Sequence, residues 1–399
     1  MRGSRGILSN RGVFAVVSGD DAGGRSRPVT LEDVARMSGV SRATASRALN
    51  GHARVNADVR TRVRMIADQL GYRPNSAARS LASGRAGVLG LVLPGGHLIS
   101  APYEAHLLEA VADAATASGQ GLMLWMAATE PSQSLRDSFR TGFVDGVIIS
   151  GVALGSPWVE DLLDGPHPCV LVGRHPSRVD VPHIELTNEA SASTAVDHLV
   201  EGGGRRIAII LGPPDRIDGR DRQVGYERAL YRNGIEVDTR LVERGDFSIE
   251  SGSEAMRRLL AHRPDSVFAC NDLMAAGAMQ AIAAAGLRVP DDIAVIGFDD
   301  LPIASQTAPP LSTVSQDVAA IGASAVDLLV KLVSGEAANG ATTTTVSGPL
   351  VIRQSTRPVA GVGSDAAKHN QTRGVREDTT SHTPVAGSTS SGENRRATS

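Results

Sequence analysis

From residue 86 to residue 356 the chain repeats one pattern: a short apolar run, a polar turn, then an amphipathic stretch long enough for several helical turns. The apolar runs cover 88–93, 122–126, 144–150, 169–172, 206–211, 267–270 and 293–298, and the helical stretches cover 103–118, 190–201, 223–233, 249–263 and 273–285. Unbroken apolar runs of this length suit strands buried on both faces. Their alternation with helices predicts parallel sheets covered on each side. A single core seldom organises more than about 250 residues, so this span is expected to form two such lobes. In sheets of this kind ligands bind beyond the carboxyl ends of the strands, which makes polar residues there candidates for ligand contact.

The stretch before residue 86 follows different rules. Leu31 to Leu49 reads as two short helices meeting at a glycine turn. Thr30 supplies an N-cap hydroxyl, and Asp33, three residues on, can return a bond to the Thr30 amide. Leu31, Val34 and Ala35 share one face, Gly39 can take the positive φ of a tight turn, and Ser41 offers a second N-cap. On the second helix Thr44, Ala45, Ala48 and Leu49 point inward, leaving Arg42, Ala43 and Arg47 outside near its N-terminal end. A third helix follows the Asn56 cap, carries a stripe of Val59, Val63, Ile66, Ala67 and Leu70, and stops at Gly71. A short helix-competent segment, 75–83, has Asn75 as its cap and Leu81 as its one large apolar residue.

Charge separates the same two regions. The net charge is only −3, yet residues 28–85 hold ten arginines against four acids and residues 1–27 five arginines against two, so the remainder carries −12. A compact basic module on an acidic body points to a polyanion partner for the module alone.

The motifs Thr-Leu-Glu-Asp-Val-Ala, Gly-Val-Ser-Arg-Ala-Thr, Ser-Arg-Ala-Leu-Asn-Gly and Leu-Gly-Tyr-Arg-Pro-Asn, between Val29 and Arg85, resemble the headpiece of LacI/GalR-family regulators. The resemblance continues through the body, in Val267-Phe-Ala-Cys-Asn-Asp-Leu-Met, in the run from Gly286 to Asp300, and in Pro309-Pro-Leu-Ser-Thr-Val-Ser-Gln. It implies an all-α helix-turn-helix headpiece (28–74) joined by a hinge helix and linker (75–85) to an α/β two-lobed periplasmic-binding-protein-like domain of two parallel-sheet sandwiches (86–356). Residues 1–27 and 357–399, rich in Gly, Ser, Thr and charge, are expected to be a disordered arm and tail.

The same resemblance implies roles for individual residues. Arg42, Ala43 and Arg47 would reach base edges in the major groove, with Thr30, Ser41 and Thr44 beside them at the DNA face. Asn50, Arg54, Tyr72 and Asn75 would meet phosphates, and Leu81 would wedge into the minor groove. An arginine fork matches the two acceptors of guanine, whereas alanine can only pack. Effector contacts carry over onto Tyr103, Arg222, Asn271, Asp299 and Gln316. Their chemistry suits a polyol: Asp299 accepts from hydroxyls, Asn271 donates and accepts, Arg222 donates, and Tyr103 stacks. With one tyrosine marking the cleft in a chain of 3% aromatics, a sugar fits better than a nucleobase. The sequence departs from the family pattern at Ala45, at the Thr187-Asn188 crossover, at Gly204 and around Ser100-Ala101-Pro102-Tyr103, so specificity is not carried over with the fold.

The expected function is therefore a sequence-specific, effector-controlled transcription regulator, most readily a repressor, bound as a homodimer to a pseudo-palindromic double-stranded operator. Other classes lack their signatures. A nicotinamide-dependent enzyme needs a glycine-rich phosphate loop after the first strand, and 88–96 does not supply one. A sugar receptor for export would share the body but not the headpiece, and 13–17 is too short for a signal-peptide core. No apolar run approaches the ~18 residues of a membrane span. The two cysteines, Cys169 and Cys270, lie in apolar runs and fit a reducing cytoplasm. The ten histidines show no metal-ligand spacing, and His198 and His262 read as solvated helix residues. No catalytic residue, metal or cofactor is expected.

Overall fold

The computed structural model describes residues 29–50, 54–73, 84–94, 102–127, 137, 141–151, 157–337 and 343–359. Asn75 and Leu81, with nearly all of the expected hinge, lie outside them, as do the arm at 1–27 and all but 357–359 of the tail. Arg357 itself belongs to the body, where its guanidinium donates to the carbonyls of Asp265, Asp291 and Asp292.

The headpiece is a three-helix bundle of α1 (Leu31–Met37), α2 (Arg42–Leu49) and α3 (Ala57–Gln69). Each helix begins where the sequence places a cap. The Thr30 amide donates to Asp33 Oδ2 at 3.0 Å while the Asp33 amide donates to Thr30 Oγ1 at 3.4 Å, closing a reciprocal capping box. Ser41 accepts from the Thr44 amide at 3.1 Å and Asn56 from the Asp58 amide at 2.8 Å. Gly39 and Gly71 take φ of 66°, which a residue with a Cβ seldom adopts. Val34, Ala45, Ala48 and Val63 are fully buried, so the alanine at position 45 lies inside the headpiece core.

Lobe 1 is a six-stranded, all-parallel sheet in the order β2 (Gly121–Ala127), β1 (Val88–Pro94), β3 (Gly146–Ser150), β4 (Cys169–Val172), β5 (His183–Leu186), β11 (Thr343–Val346). One face packs on α4 (Pro102–Ala117) and α11 (Val318–Ser334), the other on α5 (Pro157–Leu163). Lobe 2 is a four-stranded parallel sheet, β7 (Val242–Arg244), β6 (Ile207–Leu211), β8 (Ser266–Ala269), β9 (Ala294–Ile296). It carries the helix pair α6 (Asn188–Glu201) and α7 (Ile217–Arg232), the pair α8 (Ile249–Leu260) and α9 (Asp272–Ala284), and the short α10 (Pro302–Gln306). A small antiparallel pair, β10 (Thr313–Val314) with β12 (Leu350–Val351), completes it.

The chain crosses between lobes at three places, after β5, between β10 and α11, and between β11 and β12. The expected apolar runs coincide with β1, β2, β3, β4, β6, β8 and β9. Five strands and three helices were not anticipated, above all α11, a 17-residue helix at the centre of lobe 1's core. Its buried residues Ile321, Ala325, Val326, Leu328, Leu329 and Leu332 recur at helical spacing, a period the sequence carries but the expected elements omit. His198, expected in solvent, is buried with Nε2 2.9 Å from Thr356 Oγ1, and burial lowers its pKa.

The helix pair α8 and α9 meets through glycine. A Cβ on Gly277 would lie 2.0 Å from the Ile249 carbonyl oxygen, a backbone atom that cannot rotate away. Gly277→Ala should therefore cost roughly 1–3 kcal/mol by overpacking, read as a lower urea midpoint with an unchanged m-value.

Candidate DNA-reading face and effector cleft

Caps orient the reading face. Ser41 and Thr44 bind each other, Oγ to Oγ1 at 2.9 Å, while Ser41 also caps α2. Beyond this cap Arg42, Ala43 and Arg47 stand exposed on one side of α2, as the spacing requires. Arg42 Nε lies 3.7 Å from Glu32 Oε1, so an acid the sequence reading passed over stands beside the arginine. Thr30 holds its capping box with Asp33, and Asn50 and Arg54 are exposed. Tyr72 packs half-buried on the headpiece core. The structure thus places every described DNA-face candidate in the headpiece, with Tyr72 also serving its core.

In the body, the carboxyl ends of β6, β8 and β9 bring Arg222, Asn271 and Asp299 to one locus, with Gln316 arriving from the crossover after β10. Arg222, 3% exposed, is held on all sides. Its Nε donates to Asn188 Oδ1 at 3.0 Å, one NH2 group donates to the Cys270 carbonyl, the other lies 3.7 Å from Asp299 Oδ1, and the plane covers the Phe298 ring at 3.8 Å. Gln316 Nε2 donates to Asp299 Oδ1, whereas Gln316 Oε1 has no hydrogen-bond partner among the described residues. Asn271 is occupied by the fold: its Oδ1 caps α9 through the Met274 amide at 2.9 Å, and its Nδ2 donates to the Phe247 carbonyl at 3.0 Å.

Asp299 sits on a strained turn, with φ of 112° followed by 58° at Asp300. Two buried bonds fix it. The Leu301 amide and Thr313 hydroxyl donate to the Asp272 carboxylate at 2.7 and 2.6 Å, and Arg353 pairs with Asp300 at 2.7 Å. Burial pushes the Asp299 carboxyl up to about 7 even though Arg222 and Gln316 oppose the shift. Asp272 is pushed well above the carboxylate range by burial and then by the Asp299 charge.

Tyr103, in the first turn of α4, brings lobe 1 to the same place. It is half-buried, and burial followed by the Asp299 charge raises its phenol well above the ordinary value. Glu104 beside it is raised by burial. On α7, burial pushes Asp218 up, but Arg216, Arg222 and the Gly219 amide together hold it below its usual value.

Sequence reasoning missed Glu104, Asn188, Asp218 and two aromatics. Phe298 underlies Arg222. Phe247, at φ 71°, lies where a Cβ on Gly212 would strike its ring, with the Arg216 guanidinium 5.8 Å away. Phe247 thus adds a second ring near Tyr103, whereas Phe298 is buried in the lobe 2 core beneath Arg222. Phe247 follows a three-residue strand with no periodic signal of its own; Asn188 stood beside the Thr187 departure at the crossover and was assigned no contact.

A basic recognition bundle ahead of two parallel-sheet lobes that enclose a polar, partly charged cleft defines a DNA-binding regulator with a small-molecule domain. Comparison with known proteins specifies the class. Residues 30–75 match the model for bacterial regulatory proteins of the lacI family, and residues 196–356 match a periplasmic binding protein-like domain. The chain is 36% identical over 320 residues to the HTH-type transcriptional regulator CelR of Thermobifida fusca, covering 78% of this chain and 94% of that one. It is 33% identical to catabolite control protein A of Priestia megaterium, covering 77% and 93%. A solved CelR–cellobiose complex aligns with TM-score 0.63 at 34% identity, over 82% of this chain and all of that one. The lac repressor dimer bound to operator and the anti-inducer ONPF aligns with TM-score 0.72 at 29% identity, over 83% of this chain and all of that one. The chain belongs to the LacI family of DNA-binding transcription regulators, and its relatives are regulators rather than enzymes. Among the described residues no helix is long and apolar enough to cross a membrane.

Asp299 predicts a pH dependence. The folded protein keeps its proton up to about pH 7, whereas an unfolded aspartate releases it near pH ~3.9, so stability falls as pH rises through that window. Asp299→Asn should flatten this fall by roughly 1–3 kcal/mol, measured by denaturation at pH 5 and pH 8.

Proposed function

We propose that the protein is a repressor that binds a pseudo-palindromic operator as a homodimer and is controlled by a hydroxyl-rich effector, a sugar, held between its lobes. One observation carries this reading: Asp299, Arg222 and Gln316 converge beside Tyr103, giving an acceptor, a donor and an unpartnered amide oxygen at one locus between the lobes. Vicinal hydroxyls both donate and accept and suit such a set. The aromatic count alone does not separate a sugar from a nucleobase, because Phe247 joins Tyr103, while Phe298 is covered by Arg222. The charged and amide groups, together with the likeness to a cellobiose-bound regulator, favour the sugar.

Control follows from differential affinity. An effector that binds one lobe arrangement more tightly shifts the population toward it, and the hinge at 75–85 transmits that shift to the headpieces. Arg42 and Arg47 are proposed to read base edges, Asn50, Arg54, Tyr72 and Asn75 to meet phosphates, and Leu81 to wedge the central step.

A thermal-shift screen of mono- and disaccharides against nucleobases and nucleosides, followed by operator binding with each hit, tests the effector reading. A sugar is expected to raise Tm and change operator affinity; stabilisation by nucleobases alone would refute it. Arg42→Ala should lose about 1–3 kcal/mol of discrimination at one position of each half-site in a selection from random duplexes. An unchanged selected motif would refute its role.

A further inference from the structure

We propose that Arg174 and Asp221 form a clasp across the cleft that sets how readily the two lobes close. Its effect on ligand affinity rests on the effector-cleft reading above, but the clasp itself does not. Arg174 follows β4 of lobe 1, directly after Gly173, and Asp221 lies on α7 of lobe 2. The Arg174 guanidinium donates to Asp221 Oδ1 at 2.5 Å, with the two side chains 39% and 16% exposed. The pair therefore joins two bodies with separate cores.

Both ends are rigidly mounted. On lobe 1, His175 Nδ1 accepts from the Ser177 amide at 3.2 Å and the Arg178 amide at 3.0 Å, which leaves Nε2–H to donate to Glu160 on α5 at 2.8 Å. Arg178 adds a bond to Asp164 at 2.8 Å. These contacts fasten the loop bearing Arg174 to its own lobe. On lobe 2, Tyr226 donates to the Ile207 carbonyl at 2.8 Å, and Gly225 lets α7 approach the backbone of α6. With neither mount free to follow the other, the bond exists only in lobe arrangements that bring the two together.

Position gives the clasp its consequence. Asp221 immediately precedes Arg222, the buried centre of the cleft, so closing the pair draws lobe 1 toward Asp299 and Gln316. The arrangement it holds is the one in which Tyr103 and Glu104 feel the charges of lobe 2. An exposed ion pair contributes little, but this one is short and its acid is mostly buried, so loss of the arginine leaves a carboxylate poorly solvated.

The test uses the full chain with spin labels at Val179→Cys and Tyr231→Cys, two exposed positions on opposite lobes, while the native Cys169 and Cys270 are buried. Labelled protein is diluted with unlabelled protein so that distances are read within one chain. Without ligand, Arg174→Gln and Asp221→Asn should each broaden and lengthen the interlobe distance distribution, and the charge reversal Arg174→Glu/Asp221→Arg should restore it. Raising salt from about 50 mM to about 1 M should lengthen the distance in the parent protein and leave the single variants unmoved. With cellobiose as probe, each single variant should weaken binding about fivefold, with no further loss in the double variant. Unchanged distances in both single variants would overturn the clasp. So would weaker cellobiose binding in Arg174→Gln with none in Asp221→Asn, because that pattern makes Arg174 a ligand contact. If cellobiose does not bind but the distances respond, the clasp stands and the choice of sugar fails.

Discussion

A guanidinium buried away from water is the constraint on which the cleft depends. Arg222 could not remain there as a bare cation, since desolvation of an ion far exceeds what one distant carboxylate returns. The fold answers with an amide oxygen, a main-chain carbonyl, an aromatic face and an acid, drawn from three separate segments. Those segments, the start of α6, the end of β8 and the turn after β9, are thereby fixed relative to α7. The acid is itself presented on a turn of unfavourable φ, which the buried Asp272 carboxylate and the Arg353–Asp300 pair hold in place. A ligand entering this cleft meets groups whose positions are already determined.

The headpiece and the body differ in how far local rules reach. In the headpiece the caps, turns and apolar stripes are separated by a few residues, so Thr30, Gly39, Ser41, Asn56 and Gly71 could be assigned from spacing alone. Most of the body's strands were legible for a related reason: a strand covered on both faces must be apolar throughout. Position in the sheet did not decide it, because β2 at the edge of lobe 1 kept that signal while the interior strand β5 and the edge strand β11 did not. Thr343 to Val346 is mostly threonine and joins the sheet by pairing with β5, a partner some 160 residues away.

The cleft was legible only where a family pattern pointed to it, and the chemistry of individual groups depended on neighbours brought from afar. Asn271 looked like a free donor and acceptor, yet both ends of its amide serve α9 and the Phe247 turn. Gln316 looked equally ambiguous, and its Oε1 is the atom left without a partner. Phe247 reaches the cleft through a positive φ, which a sequence with aspartate before and serine after does not announce. His198 was misread because its partner, Thr356, approaches from the far end of the chain.

The last crossover has a consequence for the order in which the molecule can be made. Lobe 1 has its β5 edge paired only when β11 arrives, and in lobe 2 the Val295 carbonyl and the Ser312 amide gain the Ser355 hydroxyl only when that residue does. Both events wait for the final stretch of the body to leave the ribosome, whereas the described headpiece core lies within residues 29–72. A chain cut short before residue 340 keeps every segment of the headpiece core but lacks the strand and the serine that finish the two lobes. Completion of synthesis is thus a condition for both sheets of the body to close.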